Sequence, residues 1–195
     1  KLHLVMESRL AGKAVFRSEE TCLNVITRKV EPAATFLGND KAHGSDGYEL
    51  IGHESKLPAC ANLKWQKGNV WIYDKATDDP RALPYFANPP TGKDRIAAAR
   101  YGDEVIFNLD AGQTPRRLSL YFLDYDNKGR KQSIEMLDAL TGQSLDKQVI
   151  EKFSQGRYLS WKVQGAVKVV TRKIIGDNAT VSGLFLDPVD RKEKE

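Results

Sequence analysis

What this chain has little of narrows it most. Of its 195 residues only two are cysteine, Cys22 and Cys60. They form no CxxC pair, which argues against structural zinc; one disulfide and two free thiols both remain open. There is no apolar run long enough for a membrane helix and no signal-peptide core. The chain starts at Lys1, and the expectation is a soluble protein, either processed or cut from something longer. Like charges do not gather in blocks before the terminal Arg191-Lys192-Glu193-Lys194-Glu195, and 30 Lys+Arg against 26 Asp+Glu leave a net charge of only +4. This is a mixed surface with a mild basic excess, which suits an anionic partner and shows no nucleic-acid footprint.

Catalytic signatures are missing as well. No GxxxxGK[ST] loop cradles a phosphate, and no GxGxxG opens a helix after a strand. The only His, Ser and Asp grouping is HGSDGYELIGHE, with His43, Ser45, Asp46, His53 and Glu54. Packed into one short loop, these residues are poorly placed for a Ser-His-Asp triad, and the strained elbow of GxSxG is absent. A metal on His43 and His53 would rest on their nearness alone. The reading assigns no catalytic residue and no metal ligand.

What the chain does contain is a series of short β-type runs broken by Gly, Asn, Asp and Pro. They cover 21–27, 48–51, 70–73, 95–99, 105–109, 118–123, 132–137, 149–153, 158–163, 167–174 and 180–186. Strands at such spacing predict an all-β sandwich or barrel in a single domain, since 41% hydrophobic content over this length can bury one core. Val105, Phe107 and Leu109 alternate with Glu104 and Asn108, the pattern of a half-buried strand. In RRLSLYFLDY, Leu118, Leu120 and Phe122 point one way while Tyr121 and Leu123 point the other, the pattern of a central strand. Thr141-Gly142 interrupts an otherwise helix-like stretch and reads as a hairpin turn.

Two irregular stretches, 74–94 with four prolines and 38–48 with its glycines, are the first functional candidates, because loops on a rigid scaffold carry binding residues; a merely covering loop is the alternative. Aromatic residues lie in or beside them: Tyr48, Trp65, Trp71, Tyr73, Tyr85 and Phe86. Such rings stack on the C–H faces of sugars while Asp, Asn and Arg bind hydroxyls. Trp161 alternates with Leu159 and Val163 and belongs to the core, and Trp71 could face the core beside Tyr73.

The stretch LYFLDYDNKGR poses its own question. Asp124, Asp126 and Gly129 match three positions of a calcium loop, with Glu135 at a fourth, but Lys128 stands where an oxygen ligand is needed. A hairpin turn is the better reading, with Asp124 or Asp126 paired to Arg130 in an exposed contact worth under about 1 kcal/mol.

Several stretches resemble the galactose-binding-like β-sandwich modules, of carbohydrate-binding-module type, appended to glycoside hydrolases in planctomycete-like secreted proteins. They are FLGND, GSDGYELIGHESKLPACA, DDPRAL, RIAAARYGDEVIFNLD, RRLSLYFLDYDNKGRKQSIEMLDALTG and YLSWKVQGAVKVVTRKIIGDNATVSGLFLDP. The likeness spans about Phe36 to Pro188 and departs where a tryptophan is expected before DGY and DKAHGS stands instead. It implies a jelly-roll sandwich over 34–188, an N-terminal extension or extra hairpin over 1–33, and a charged tail over 189–195. It also implies a secreted, cell-surface or periplasmic location in bacteria and a non-catalytic role in polysaccharide or oligosaccharide binding beside a glycosidase or lyase domain of the same parent. No cofactor is expected, with a structural calcium left open.

From loop position and residue chemistry the ligand-binding candidates are Tyr48, Trp71, Tyr73, Asp79, Arg81, Tyr85, Asp124, Asp126 and Arg130. The basic excess suggests an acidic or sulfated polysaccharide. A polysaccharide lyase or glycosidase on the same scaffold, and a protein-interaction module, are the alternatives.

Overall fold

The computed structural model describes residues 43–87 and 93–189, together with the backbone of residues 9–10, 13–14 and 34–37, and contains no helix among them. In chain order the strands are β1 (Arg9–Leu10), β2 (Lys13–Ala14), β3 (Ala34–Leu37), β4 (Gly47–Leu50), β5 (Ser55–Lys56), β6 (Asn62–Thr77), β7 (Leu83–Pro84) and β8 (Arg95–Asp110). They continue with β9 (Arg116–Phe122), β10 (Lys131–Asp138), β11 (Ser144–Glu151), β12 (Arg157–Val163), β13 (Ala166–Ile175), β14 (Ala179–Val181) and β15 (Gly183–Pro188). Apart from the small β1–β2 ladder they form two antiparallel sheets, and the fold is a β-sandwich. One sheet has the order β3-β12-β9-β15-β4-β5; the other runs β11-β10-β13-β8-β14, with β6 and β7 also paired to β8.

Alternation places the core between them. Val105, Phe107 and Leu109 of β8 and Val167 and Val169 of β13 face Leu118, Leu120 and Phe122 of β9 and Trp161 of β12, all almost wholly buried. Each such side chain contributes about 2–3 kcal/mol by leaving water. β9 is central, as its two apolar faces predict. Its second face, with Tyr121 and the following Leu123, meets Tyr48, Leu50, Tyr158 and Phe185 in a further apolar layer outside the six-stranded sheet. Leu83 of β7 packs into that layer, so the segment after β6 covers the sheet.

The strands differ from expectation where polar residues mask the pairing. The runs 95–99 and 105–109 are one strand, β8, because main-chain bonds continue through Arg100–Glu104, which alternation does not detect. The run 70–73 lies inside β6, whose register shifts near Gly68. There φ is +112° and a Cβ would lie 3.3 Å from Val105, so the backbone bends at a residue without one. The run 180–186 divides at Ser182, whose N–H donates to the Tyr121 carbonyl at 2.8 Å as the chain passes from one sheet to the other. The hairpin at Thr141-Gly142 is present, joining β10 to β11, with Gly142 at φ +73°. The expected strand 21–27, the tail 190–195 and residues 38–42 of the first irregular stretch lie outside the described residues.

Candidate functional site

At one end of the sandwich the β9–β10 connection is drawn into a closed loop. The Asp124 carboxylate accepts the backbone N–H groups of Lys128 and Arg130, each at 3.1 Å, while the Asp124 carbonyl accepts that of Asn127 at 3.1 Å. Asn127 sits at φ +53°, a left-handed conformation that asparagine tolerates better than most residues. This short-range chemistry explains why Asp, Asn and Gly recur in DYDNKGR.

Arg130 holds the loop to its surroundings. Its guanidinium donates to the carboxylates of both Asp124 and Asp126 and through Nε to the Asn178 side chain at 3.0 Å. The Asp124 and Arg130 side chains are only 3% and 2% exposed. The expected pairing is therefore present, but it is buried, not exposed. The guanidinium also takes up the two carboxylates that a calcium reading would need. Burial works against the charge on Arg130, and the hydrogen bonds it donates to Asp126 and Asp124 more than offset it, so its pKa is raised. Burial likewise opposes ionisation of Asp126, and Arg130 outweighs it, leaving the Asp126 pKa lowered.

Around this hub the fold gathers residues from distant parts of the chain. Tyr73 of β6 and Tyr125 of the loop stand with ring centroids 5.2 Å apart, tilted by 43°. Arg81 lies over the Tyr125 ring at 5.2 Å, pairs with Asp79 at 2.7 Å and donates to the Ser154 carbonyl at 2.9 Å. The Tyr73 pKa is raised, first by burial and then by the nearby Asp126 and Asp124 carboxylates, against the pull of Arg130. Beside the pair, sharing the Asp124–Arg130 loop, opens a cleft of about 310 Å³ lined by residues that include Asn127, Gly129, Lys131, Glu151, Lys152 and Ile175. Lys152 on its rim has φ +55°, and Lys131 pairs with Glu151 at 3.0 Å. The cleft offers amide, ammonium and carboxylate groups beside one aliphatic side chain, on a backbone fixed by buried bonds.

Of the nine residues proposed from sequence, Tyr73, Asp79, Arg81, Asp124, Asp126 and Arg130 meet here. The other three do not. Tyr48 is 6% exposed and stacks on Phe86 at 4.0 Å inside the second apolar layer, because the 83–87 segment folds over it. Tyr85 meets His53 edge-on at 4.5 Å and its hydroxyl donates a hydrogen bond to the Lys75 carbonyl. Trp71 is 55% exposed on β6 and makes no ring contact among the described residues, so it is not a core residue.

Trp65 is engaged elsewhere, with Arg100 over its ring at 4.4 Å and its Nε1 donating to Glu49 at 3.3 Å. Tyr125, which stands between the two aspartates, and Asn127, Lys152 and Ser154 join the site without being among the nine candidates. The lysine and serine come from the β11–β12 turn and only the fold brings them near.

The His, Ser and Asp grouping proves structural. Ser45 Oγ and the N–H groups of Gly44 and Ser45 all donate to Asp187 Oδ1, at 2.8–2.9 Å, so the serine is bound to a carboxylate and not to a histidine. His43 is buried, stacked on Tyr158 at 4.2 Å. Cys60 is an exposed free thiol, and Cys22 lies outside the described residues. Among the described residues no group of three or more His, Cys, Asp or Glu could hold a metal ion, and no helix is long and apolar enough to cross a membrane.

No protein-family model matches the chain, and no curated protein does. Among solved structures it is similar to TmCBM61 in complex with beta-1,4-galactotriose. Identity is 12%, 67% of this chain and 90% of that one are covered, and the TM-score is 0.38. An overlap this loose carries no argument about what the present chain binds.

Proposed function

We propose that this chain is a non-catalytic carbohydrate-binding module that takes a polysaccharide at the loop end of the sandwich. The observation that carries the reading is the partly buried Tyr73–Tyr125 pair beside the Asn127, Lys131 and Lys152 cleft, with the Tyr125 loop immobilised by Arg130. Aromatic faces supply stacking for sugar C–H groups, and the cleft supplies donors and acceptors for hydroxyls, in the size range of small-ligand sites. The net charge of +4 favours an acidic or sulfated polymer. In this reading the module serves a secreted glycosidase or lyase, which raises the effective concentration of enzyme at the polymer.

Native affinity electrophoresis through gels carrying neutral, uronic and sulfated polysaccharides, with a reducing-end assay on the same mixtures, tests it. Retardation without new chain ends is expected, weakened roughly tenfold by Tyr73→Ala with Tyr125→Ala. New chain ends would make the protein an enzyme. No retardation in any gel would favour a protein-interaction module.

A further inference from the structure

We propose that the outward face of the seven-stranded sheet is a second glycan site, separate from the loop end, and that it takes a linear polyuronate. Register defines the face. Lys64 of β6 aligns with Asn108 of β8, which aligns with Lys168 of β13. In the adjacent row Lys67, Ile106, Val170, Glu135 and Lys147 run from β6 across to β11.

Three of the acids on this face are paired with cations within it. Arg172 spans Glu104 at 2.9 Å and Glu135 at 2.8 Å, and Lys67 adds a contact to Glu104 at 2.8 Å, while Asp110 accepts the Gly112 N–H at 2.9 Å and keeps its charge. At the margin Glu151 is held by Lys131 at 3.0 Å. Lys64, Lys147 and Lys168 form no ion pair among the described residues, and although Lys147 lies opposite Glu135 and acts on its carboxylate, the lysines and arginine of the face outnumber its acids.

Their placement is regular. They stand on β6, β13 and β11, every second strand of the order β6-β8-β13-β10-β11. At two strand spacings each step across the sheet is about 10 Å. A polymer with one carboxylate on every ring, lying across the strands, presents a charge to each ammonium on alternate rings. Each contact is exposed and weak by itself, so binding depends on several at once and falls with salt. The ammonium groups are compact point charges suited to single carboxylates.

Affinity electrophoresis in polygalacturonate at low and high salt, with the fully methyl-esterified polymer as the uncharged control and dextran sulfate as the other polyanion, tests the proposal. The expected result is retardation in polygalacturonate that disappears at high salt and is absent in the ester. Lys64→Glu with Lys168→Glu should weaken it about tenfold, and the milder Lys64→Gln with Lys168→Gln should weaken it in the same direction with an unchanged melting temperature.

Equal binding of the ester, undiminished binding by the charge-reversed protein, or retardation by dextran sulfate alone would each overturn the proposal. So would loss of polygalacturonate binding in Tyr73→Ala with Tyr125→Ala, which would place the polymer at the loop end. Retention of polygalacturonate by that variant supports the second site, even if the loop end is found to bind nothing.

Discussion

At the scale of single residues, Asp187 and Gly156 show how much a buried group depends on its neighbours. Burial alone would raise the Asp187 pKa, yet the nearby His43 imidazole, 3.9 Å away, and hydrogen bonds from Ser45 and Gly44 hold it at about 2. A carboxylate whose pKa is depressed by folding stabilises the protein above its unfolded value near pH 4, and that contribution is lost as the pH falls through 2. It is worth about 2 kcal/mol at neutral pH. Asp187→Asn should therefore destabilise the protein by roughly that amount at pH 7 and flatten the loss of stability between about pH 4 and 2, as read from urea midpoints across pH. Gly156 adopts φ +80°, and a Cβ there would lie 1.9 Å from the Tyr121 hydroxyl, which itself donates to the Arg81 carbonyl at 2.6 Å. Gly156→Ala combines a clash with a left-handed backbone, and a loss of at least about 3 kcal/mol in denaturant unfolding is expected. Trp71→Ala is the opposite case: with 55% of the residue exposed, stability should change by less than about 0.5 kcal/mol.

At the scale of elements, strands within one sheet are joined by polar staples that hydrophobic pattern does not reveal. Gln132 of β10 is wholly buried, and its side-chain amide donates to the Thr180 carbonyl and accepts the Thr180 N–H, both at 2.8 Å. It thus stands in for a peptide group beside the short β14. Gln132→Leu would leave a buried N–H and C=O without partners, and a cost of about 2–3 kcal/mol is expected. Hydrogen exchange should show the added opening at β14 before the centre of β8. The Asp124–Arg130 loop follows the same logic with charge: Asp124→Ala removes the buried partner and leaves the Arg130 guanidinium only the part-exposed Asp126, while the N–H groups of Lys128 and Arg130 lose their acceptor, so a cost of about 3 kcal/mol is expected, measured by thermal melting. β6 illustrates a different constraint. It pairs with β8 and carries exposed Lys64, Lys67 and Lys75 along its length, residues of the kind that discourage edge-to-edge association.

At the scale of the whole molecule, the sandwich separates two surfaces that chemistry suits to glycans: an aromatic loop end for stacking and a cationic sheet face for charge. If both act, binding at the loop end should respond to Tyr73 and Tyr125, while polyuronate binding on the sheet face should respond to Lys64 and Lys168 and vanish in salt. Affinity electrophoresis of the two double variants separates these contributions. Much of this architecture is determined by the sequence alone. Period-two alternation in β8, two-sided apolarity in β9 and the turn at Gly142 are local consequences of side-chain direction and backbone conformation, so they are legible without coordinates. The association of Asp124 and Asp126 with Arg130 is equally local, since it closes within seven residues. What only the tertiary structure decided is long-range. Tyr48 becomes buried because a segment nearly forty residues away folds over it, Tyr73 meets Tyr125 across half a hundred residues, and Lys64, Lys147 and Lys168 share one face, in two adjacent rows, only through strand register. Periodicity reports which way a side chain points within its own strand, whereas burial and convergence depend on which strand lies beside or above it, and that is set by packing of the whole core.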